Sequence, residues 1–366
     1  MYKKSNFSKI IISIIITVIF SVMLFSCSKQ EDSYQKSQYI EAKVLRIVSG
    51  IRFKDEQTKY ESGQAKIMVK ILSGEDTDKE VLITQDLTQN NMGLPEVNST
   101  VILSESLVGE DTAALQIVDV KRNHVTLLAI VLFIICLGAI GGLKGLIFFS
   151  ILASLFLITF YILFPLIAYG FSPVILTFGF SAFIITIINF LTSKSKENMN
   201  LTLISNLISL TVVTIFAYFF AKMGSFSSLI YKESGEFVSS SIRTGGFIAS
   251  AIILTSLGGI INVSSTTFNT ASNIMRKNAK NKVKFSKIAY DTLKYVRPSI
   301  FINFLFIFLI YLGLSLPILM AKSYSISVQS IINADTISFY LIAVSIGGLG
   351  LITSGLASIF MSSLKK

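Results

Sequence analysis

The chain has 366 residues, of which 52% are hydrophobic and only 14% charged, with a mean hydropathy of +0.68. A soluble domain carries about a quarter of its residues as charges, so much of this chain is built for lipid. The net charge of +11 could suit a nucleic acid, but the basic residues sit in short loops between apolar runs rather than on one presented face, so no nucleic-acid partner is expected. One histidine, His124, and two cysteines make neither a metal site nor a disulfide framework, and no cofactor is expected.

Residues 1–28 read as a signal peptide or anchor helix. Lys3, Lys4 and Lys9 precede an uncharged run from Ile10 to Phe25, short for a full span of about 20 residues and of the kind a secretory leader carries. Leu24-Phe25-Ser26-Cys27 resembles a bacterial lipoprotein box, which makes Cys27 a candidate lipidation site. An uncleaved anchor that ends in cysteine is the alternative.

Residues 29–122 change character, with charges throughout and short β-branched runs. Strands are expected at Tyr39 to Val48, Ala65 to Leu72, Glu80 to Thr84, Thr100 to Ser104 and Ala114 to Val120, each bounded by Gly, Asp, Asn, Ser or Pro. Five short strands suggest a small antiparallel barrel, OB-like in type, because closure removes exposed edges.

Residues 123–366 carry long apolar runs: Val125 to Ile140, Leu146 to Ala168, Ser172 to Leu191, Leu201 to Ala221, Gly245 to Val263 or beyond, Ser299 to Met320, and Ile337 to Met361. Backbone amides in hydrocarbon must be bonded internally, so these are helices. The expected fold class is an α-helical polytopic membrane protein: about seven spans, an N-terminal signal or anchor helix, and a small extracytoplasmic all-β domain. Lys144, Lys194, Lys196, the cluster from Arg276 to Arg297, Lys365 and Lys366 fall in one set of loops, and Lys222, Lys232, Arg243 and Lys322 in the other. The positive-inside rule then places residues 29–122 outside the bacterial cytoplasmic membrane and the C-terminus in the cytoplasm. The stretch from Asn278 to Val296 reads as an amphipathic helix on the membrane surface.

The chain is organised around Gly245 to Met275. Gly258 and Gly259 lead into Asn262, Ser265, Asn269, Ser272 and Asn273 at helical spacing, so a smooth strip runs into an amide-lined one. Such a face either forms an intramembrane polar site or lets another helix approach and bond across the gap. Asn189 and Asn206 are further amides within apolar spans, and Ile346-Gly347-Gly348-Leu349-Gly350 reads as a Gly-interrupted helix of the kind that builds transporter sites.

The order of these parts resembles the YibE/F family of bacterial multi-pass membrane proteins. The residues that carry the resemblance are Gly141-Gly142-Leu143-Lys144-Gly145-Leu146 after the first of the seven runs and Leu257-Gly258-Gly259-Ile260-Ile261-Asn262-Val263, which is similar to a Leu-Gly-Ala-Val-Met-Asp-Val pattern. Arg297 and Tyr311-Leu312-Gly313 with Ser315-Leu316-Pro317 complete it. The chain departs at Asn262, where the family usually has aspartate, and at Pro298 and Phe301, where it has a polar start to the span. Asn keeps the hydrogen-bonding shape of Asp but carries no proton. The resemblance implies the architecture more than an activity.

Three functions are then open. A transporter, permease or permease subunit for an unknown solute fits the polar faces; with no Asp or Glu in the seven apolar runs, coupling through a buried carboxylate is not expected. The alternative is a structural or assembly protein whose β domain binds an envelope partner. An enzyme is not expected, since His124 has no nucleophile or carboxylate pair beside it and no hydrolase or phosphate-loop motif occurs. The expected partners are the lipid bilayer and a membrane-protein partner or second copy.

Overall fold

The computed structural model describes residues 40–54, 61–74, 76–87, 95–107, 113–192, 196–226, 244–277, 285–323 and 327–364. The leader with Cys27 lies outside these residues, as do Lys194, Lys232, Arg243 and the lysines at 280, 282, 284, 365 and 366. The chain divides into two compact units that meet at Leu152 and Ala153.

The first unit holds five strands: β1 (Ile40–Lys54), β2 (Glu61–Ile71), β3 (Glu80–Leu87), β4 (Thr100–Leu107) and β5 (Ala113–Val120). Their starts lie within a few residues of those expected from alternation. They pair antiparallel in the order β3-β2-β1-β4-β5. The outer strands β3 and β5 also touch each other, which a flat five-stranded sheet would not allow. Successive side chains of a strand alternate between faces, so Ala42 and Val44, Ala65, Ile67 and Val69, and Val101 and Leu103 all fall on one side, where they are fully buried. Burying a Val, Ile or Leu side chain contributes roughly 1.5–3 kcal/mol, so this face holds the unit together. A half-exposed ion pair from Lys121 Nζ to Glu41 Oε1 at 2.6 Å ties the end of β5 to the start of β1.

The same unit continues into α1 (Asn123–Ile158), a helical run broken at Gly142 (φ 53, ψ −144). That backbone is in the left-handed region, which glycine enters without a Cβ penalty. The two arms fold back on each other: the rings of Phe133 and Phe149 meet edge to face at 6.3 Å, and a Cβ on Gly145 would lie 2.3 Å from the Leu137 carbonyl oxygen. Gly141, Gly142, Lys144 and Gly145 therefore make the corner of a helical hairpin, and Asn123–Gly142 and Gly145–Ala168 are separate stretches, each long and apolar enough to cross a bilayer. Cys136, in the first arm, is exposed.

The second unit begins inside the second arm. A π-helical turn (Thr159–Leu163) precedes α2 (Phe164–Ala168), and Pro165 sits in the first turn of α2. Then come α3 (Pro173–Thr192), α4 (Lys196–Met223), α5 (Thr244–Lys277), α6 (Phe285–Ser323), the short α7 (Val328–Ile332) and α8 (Asp335–Ser363). Two expectations are corrected here. Residues from Phe285 onward are not a separate surface helix but the first turns of α6, which runs unbroken through Pro298 and Pro317. Nor is the glycine run of α8 a break: α8 is continuous, and its glycines serve close packing. A Cβ on Gly350 would meet Val213 Cγ2 at 2.6 Å, and one on Gly348 would meet Phe304 Cε2 at 2.8 Å.

α5 is the hub. It packs on α3, α4, α6 and α8, and Ala249, Ile252, Ile253, Ile260 and Val263 on it are wholly buried. Its directions relative to its neighbours follow from contacts. A Cβ on Gly246 would lie 3.2 Å from Pro173 Cγ, so α3 and α5 start together and run parallel; one on Gly245 would lie 3.7 Å from the Ala221 oxygen, so α4 runs the other way. Bonds from Ser354 to the Ile260 oxygen at 2.8 Å and from Ser358 to Ser264 at 2.9 Å set α8 parallel to α5.

Candidate functional site

α5 carries polar residues on two sides, and they have different surroundings. Gly258, Asn262, Asn269 and Asn273 are exposed, and Gly259 and Ser265 half-buried. Asn262 Nδ2 donates to Asn303 Oδ1 on α6 at 3.0 Å, and Asn303 Nδ2 donates back to the Ser299 carbonyl at 2.7 Å. One turn before Gly258 on the same strip, Thr255 accepts from the Tyr311 hydroxyl at 2.9 Å. This strip therefore borders α6 and looks out of the helix cluster instead of into it.

The inward side of α5 presents Ser264 and Thr267, both fully buried. Ser264 belongs to a ring of three hydroxyls drawn from three helices. Ser358 Oγ on α8 donates to Ser264 Oγ at 2.9 Å, Ser264 donates to Ser205 Oγ on α4 at 3.5 Å, and Ser205 lies 2.7 Å from Ser358. A hydroxyl has one donor and two acceptor lone pairs. If each donates to the next, the ring uses up its protons and keeps a spare lone pair on each oxygen. Around it, Ser354 donates to the Ile260 carbonyl and Ser209 to the Ser205 carbonyl at 3.0 Å.

Three further side chains near this depth are buried without a hydrogen-bond partner among the described residues: both amide atoms of Asn189 on α3, both of Asn206 on α4, and the hydroxyl of Thr267. Their depth follows from helix rise. Asn189 lies about 24 Å beyond Pro173, Asn206 about 22 Å before Ala221, and Ser264 about 28 Å beyond Gly245, at 1.5 Å per residue. Those starting points adjoin one another, so the two amides come within about one turn of the hydroxyl ring in depth. Each unmet buried amide or hydroxyl costs roughly 1–3 kcal/mol. Among the described residues no charged side chain is buried, and no three His, Cys, Asp or Glu stand together in a way that could hold a metal.

This arrangement can offer both donors and acceptors to a polar guest without any fixed charge. The amide NH groups of Asn189 and Asn206 are free to donate, and their carbonyl oxygens, with the spare hydroxyl lone pairs, to accept. Of the residues singled out from sequence, Asn189 and Asn206 are in this region; Gly258, Asn262, Ser265, Asn269 and Asn273 are on the outer strip. Arg297 is exposed near the start of α6. The serines of the ring lie outside the expected strip; their signal in the sequence is that Ser205 and Ser209, and Ser354, Ser358 and Ser362, recur at intervals of four and so share a helical face.

Among the described residues seven helical stretches are long and apolar enough to cross a bilayer, and with a polar, uncharged centre between four of them they define a polytopic helical membrane protein. The chain belongs to the YibE/F-like family: the family model described as YibE/F-like protein matches residues 129–365. That range contains the hairpin corner, the hub helix and Arg297. No curated protein and no solved structure matches the chain.

Proposed function

We propose that the chain is a permease, or the membrane subunit of one, for a small polar solute that passes through the hydroxyl and amide centre between α3, α4, α5 and α8. The observation that carries this reading is the pair of fully buried, unpartnered amides, Asn189 and Asn206. Helix packing alone is served better by partnered or apolar residues, because an unmet polar group in the interior is destabilising. A role in binding and passage, without catalysis, suits a centre that has no nucleophile with a base beside it.

Orientation is part of the proposal. Arg276 and Lys277 close α5, and Lys287, Lys294 and Arg297 open α6, so one end of the cluster is basic. The positive-inside rule puts that end on the cytoplasmic side of the bacterial cytoplasmic membrane and the β unit, a barrel-like domain, outside. Impermeant thiol labelling of Lys277→Cys in intact cells, in a background with Cys27→Ser and Cys136→Ser, checks this. Labelling without lysis would reverse the assignment.

Solute and ion profiling of a deletion strain, against wild type and against Asn206→Leu, tests the function. The expected result is one solute class displaced across the membrane in both mutants, with the Asn206→Leu protein present at the wild-type level. A second reading, an assembly protein, is favoured by the outer strip: exposed Asn269 and Asn273 suit a membrane partner. It takes over if solutes are unchanged and an envelope defect appears only when residues 29–122 are removed.

A further inference from the structure

Apart from the hydroxyl centre, α6 and α8 enclose a trough of about 540 Å³ on the outside of the second unit. Its walls are Phe301 and Phe304 from α6 and Leu349 and Ile352 from α8, and Gly348 lets the Phe304 ring settle against α8. Phe301, Leu349 and Ile352 are exposed, so the trough opens sideways, toward what surrounds a membrane helix.

The lining has two polar groups. Ser345 spends its hydroxyl proton on the Leu341 carbonyl at 2.8 Å. The other is Arg297, exposed and without an ion-pair partner among the described residues. Asp291, on the same helix, lies about 9 Å away along the axis and about 240° round it at 100° per residue, so it faces elsewhere. Arg297 directly precedes Pro298 and the apolar stretch of α6. The Asn262 to Asn303 and Thr255 to Tyr311 bonds together set α6 antiparallel to α5, which puts Arg297 toward the basic end with Arg276 and Lys277. The trough then extends about 10 Å into the apolar depth, from Arg297 to Phe304.

An occupant must therefore be apolar along its length, anionic at one end, and oriented with that end at the membrane surface. We infer that this trough is a binding site for an anionic phospholipid, with the headgroup phosphate on Arg297 and one acyl chain along Phe301, Phe304, Leu349 and Ile352. A guanidinium presents a planar fork of donors that matches phosphate oxygens in pairs, and near a membrane surface one such cation is worth about 1 kcal/mol toward an anionic lipid. A second helix in the same place satisfies its own backbone, but it would meet Arg297 with an anion only by carrying an Asp or Glu at that depth, which is costly in a membrane span.

The test is native mass spectrometry of the purified full chain in detergent, with phosphatidylglycerol and phosphatidylcholine of identical acyl chains, beside melting curves with each lipid. Wild type is expected to bind phosphatidylglycerol more tightly and to melt higher with it. Arg297→Gln should weaken phosphatidylglycerol binding roughly five- to tenfold and abolish that melting shift, with a smaller loss for phosphatidylcholine, whose choline already offsets the charge of its phosphate. Arg297→Lys should recover part of the binding. Leu349→Trp, which fills the trough, should weaken both lipids while the lipid-free melting temperature stays near wild type. Equal binding of the two lipids, undiminished phosphatidylglycerol binding by Arg297→Gln, a wild-type shift given by inorganic phosphate alone, or a lipid-free dimer lost on Leu349→Trp would each overturn the assignment.

Discussion

At the scale of single residues, the chain separates polar groups that join helices from polar groups that have nothing to join. Asn262 and Asn303 are of the first kind, and such a bond in a membrane averages about 0.6 kcal/mol. Asn262→Leu should therefore lower unfolding stability in bilayer-mimetic detergent by no more than about 1 kcal/mol, and a double cycle with Asn303→Leu should recover a coupling of that size. Asn206 is of the second kind. Its replacement by leucine removes two unmet polar atoms and should raise the melting temperature, by the equivalent of about 1–2 kcal/mol, while complementation of the deletion strain is lost. A variant both less stable and fully active would show that the amide is there for structure. The amides were visible in the sequence as polar residues in apolar runs; which of them had partners was not, because that depends on residues 41 to 153 positions away in the chain, as in the bonds from Asn262 to Asn303 and between Ser205 and Ser358.

At the scale of elements, periodicity served well wherever one rule decided the structure. Alternation located all five strands, and apolar length located all seven spans. It was silent on rotation. α5 has polar residues on two sides, and spacing says which residues share a side, not which side meets its neighbours. The choice was made by small residues: Gly259 tucks against Leu351, where a Cβ would sit 2.6 Å from Cδ2, and Gly350 against Val213 and Ile260. The hairpin of α1 shows the same logic at a corner. Gly145→Val should prevent the two arms from closing, since its Cβ has no room beside the Leu137 carbonyl. Paired Phe133→Cys and Phe149→Cys, in a background with Cys27→Ser and Cys136→Ser, should cross-link with a short bifunctional thiol reagent, and that product should disappear when Gly145→Val is added. Undiminished cross-linking would mean that the glycine is dispensable.

For the molecule as a whole, composition and segment order were sufficient for class and family, because the bilayer permits few answers. The centre was less legible, since it is assembled from single residues on four helices that share depth and nothing else in sequence. One property of that centre reaches beyond its hydrogen bonds. In the described parts of α3, α4, α5, α6 and α8, Lys and Arg, Asp and Glu are confined to the ends: Lys196, Glu197 and Lys222 on α4, Arg276 and Lys277 on α5, the turns up to Arg297 and then Lys322 on α6, and Asp335 on α8. Moving one elementary charge through a membrane potential is worth about 2.3 kcal/mol per 100 mV, but a centre made of amides and hydroxyls offers the potential nothing to move. Its conformational balance should thus be indifferent to voltage. Any current measured through the purified chain in a planar bilayer would report the charge of the passenger alone.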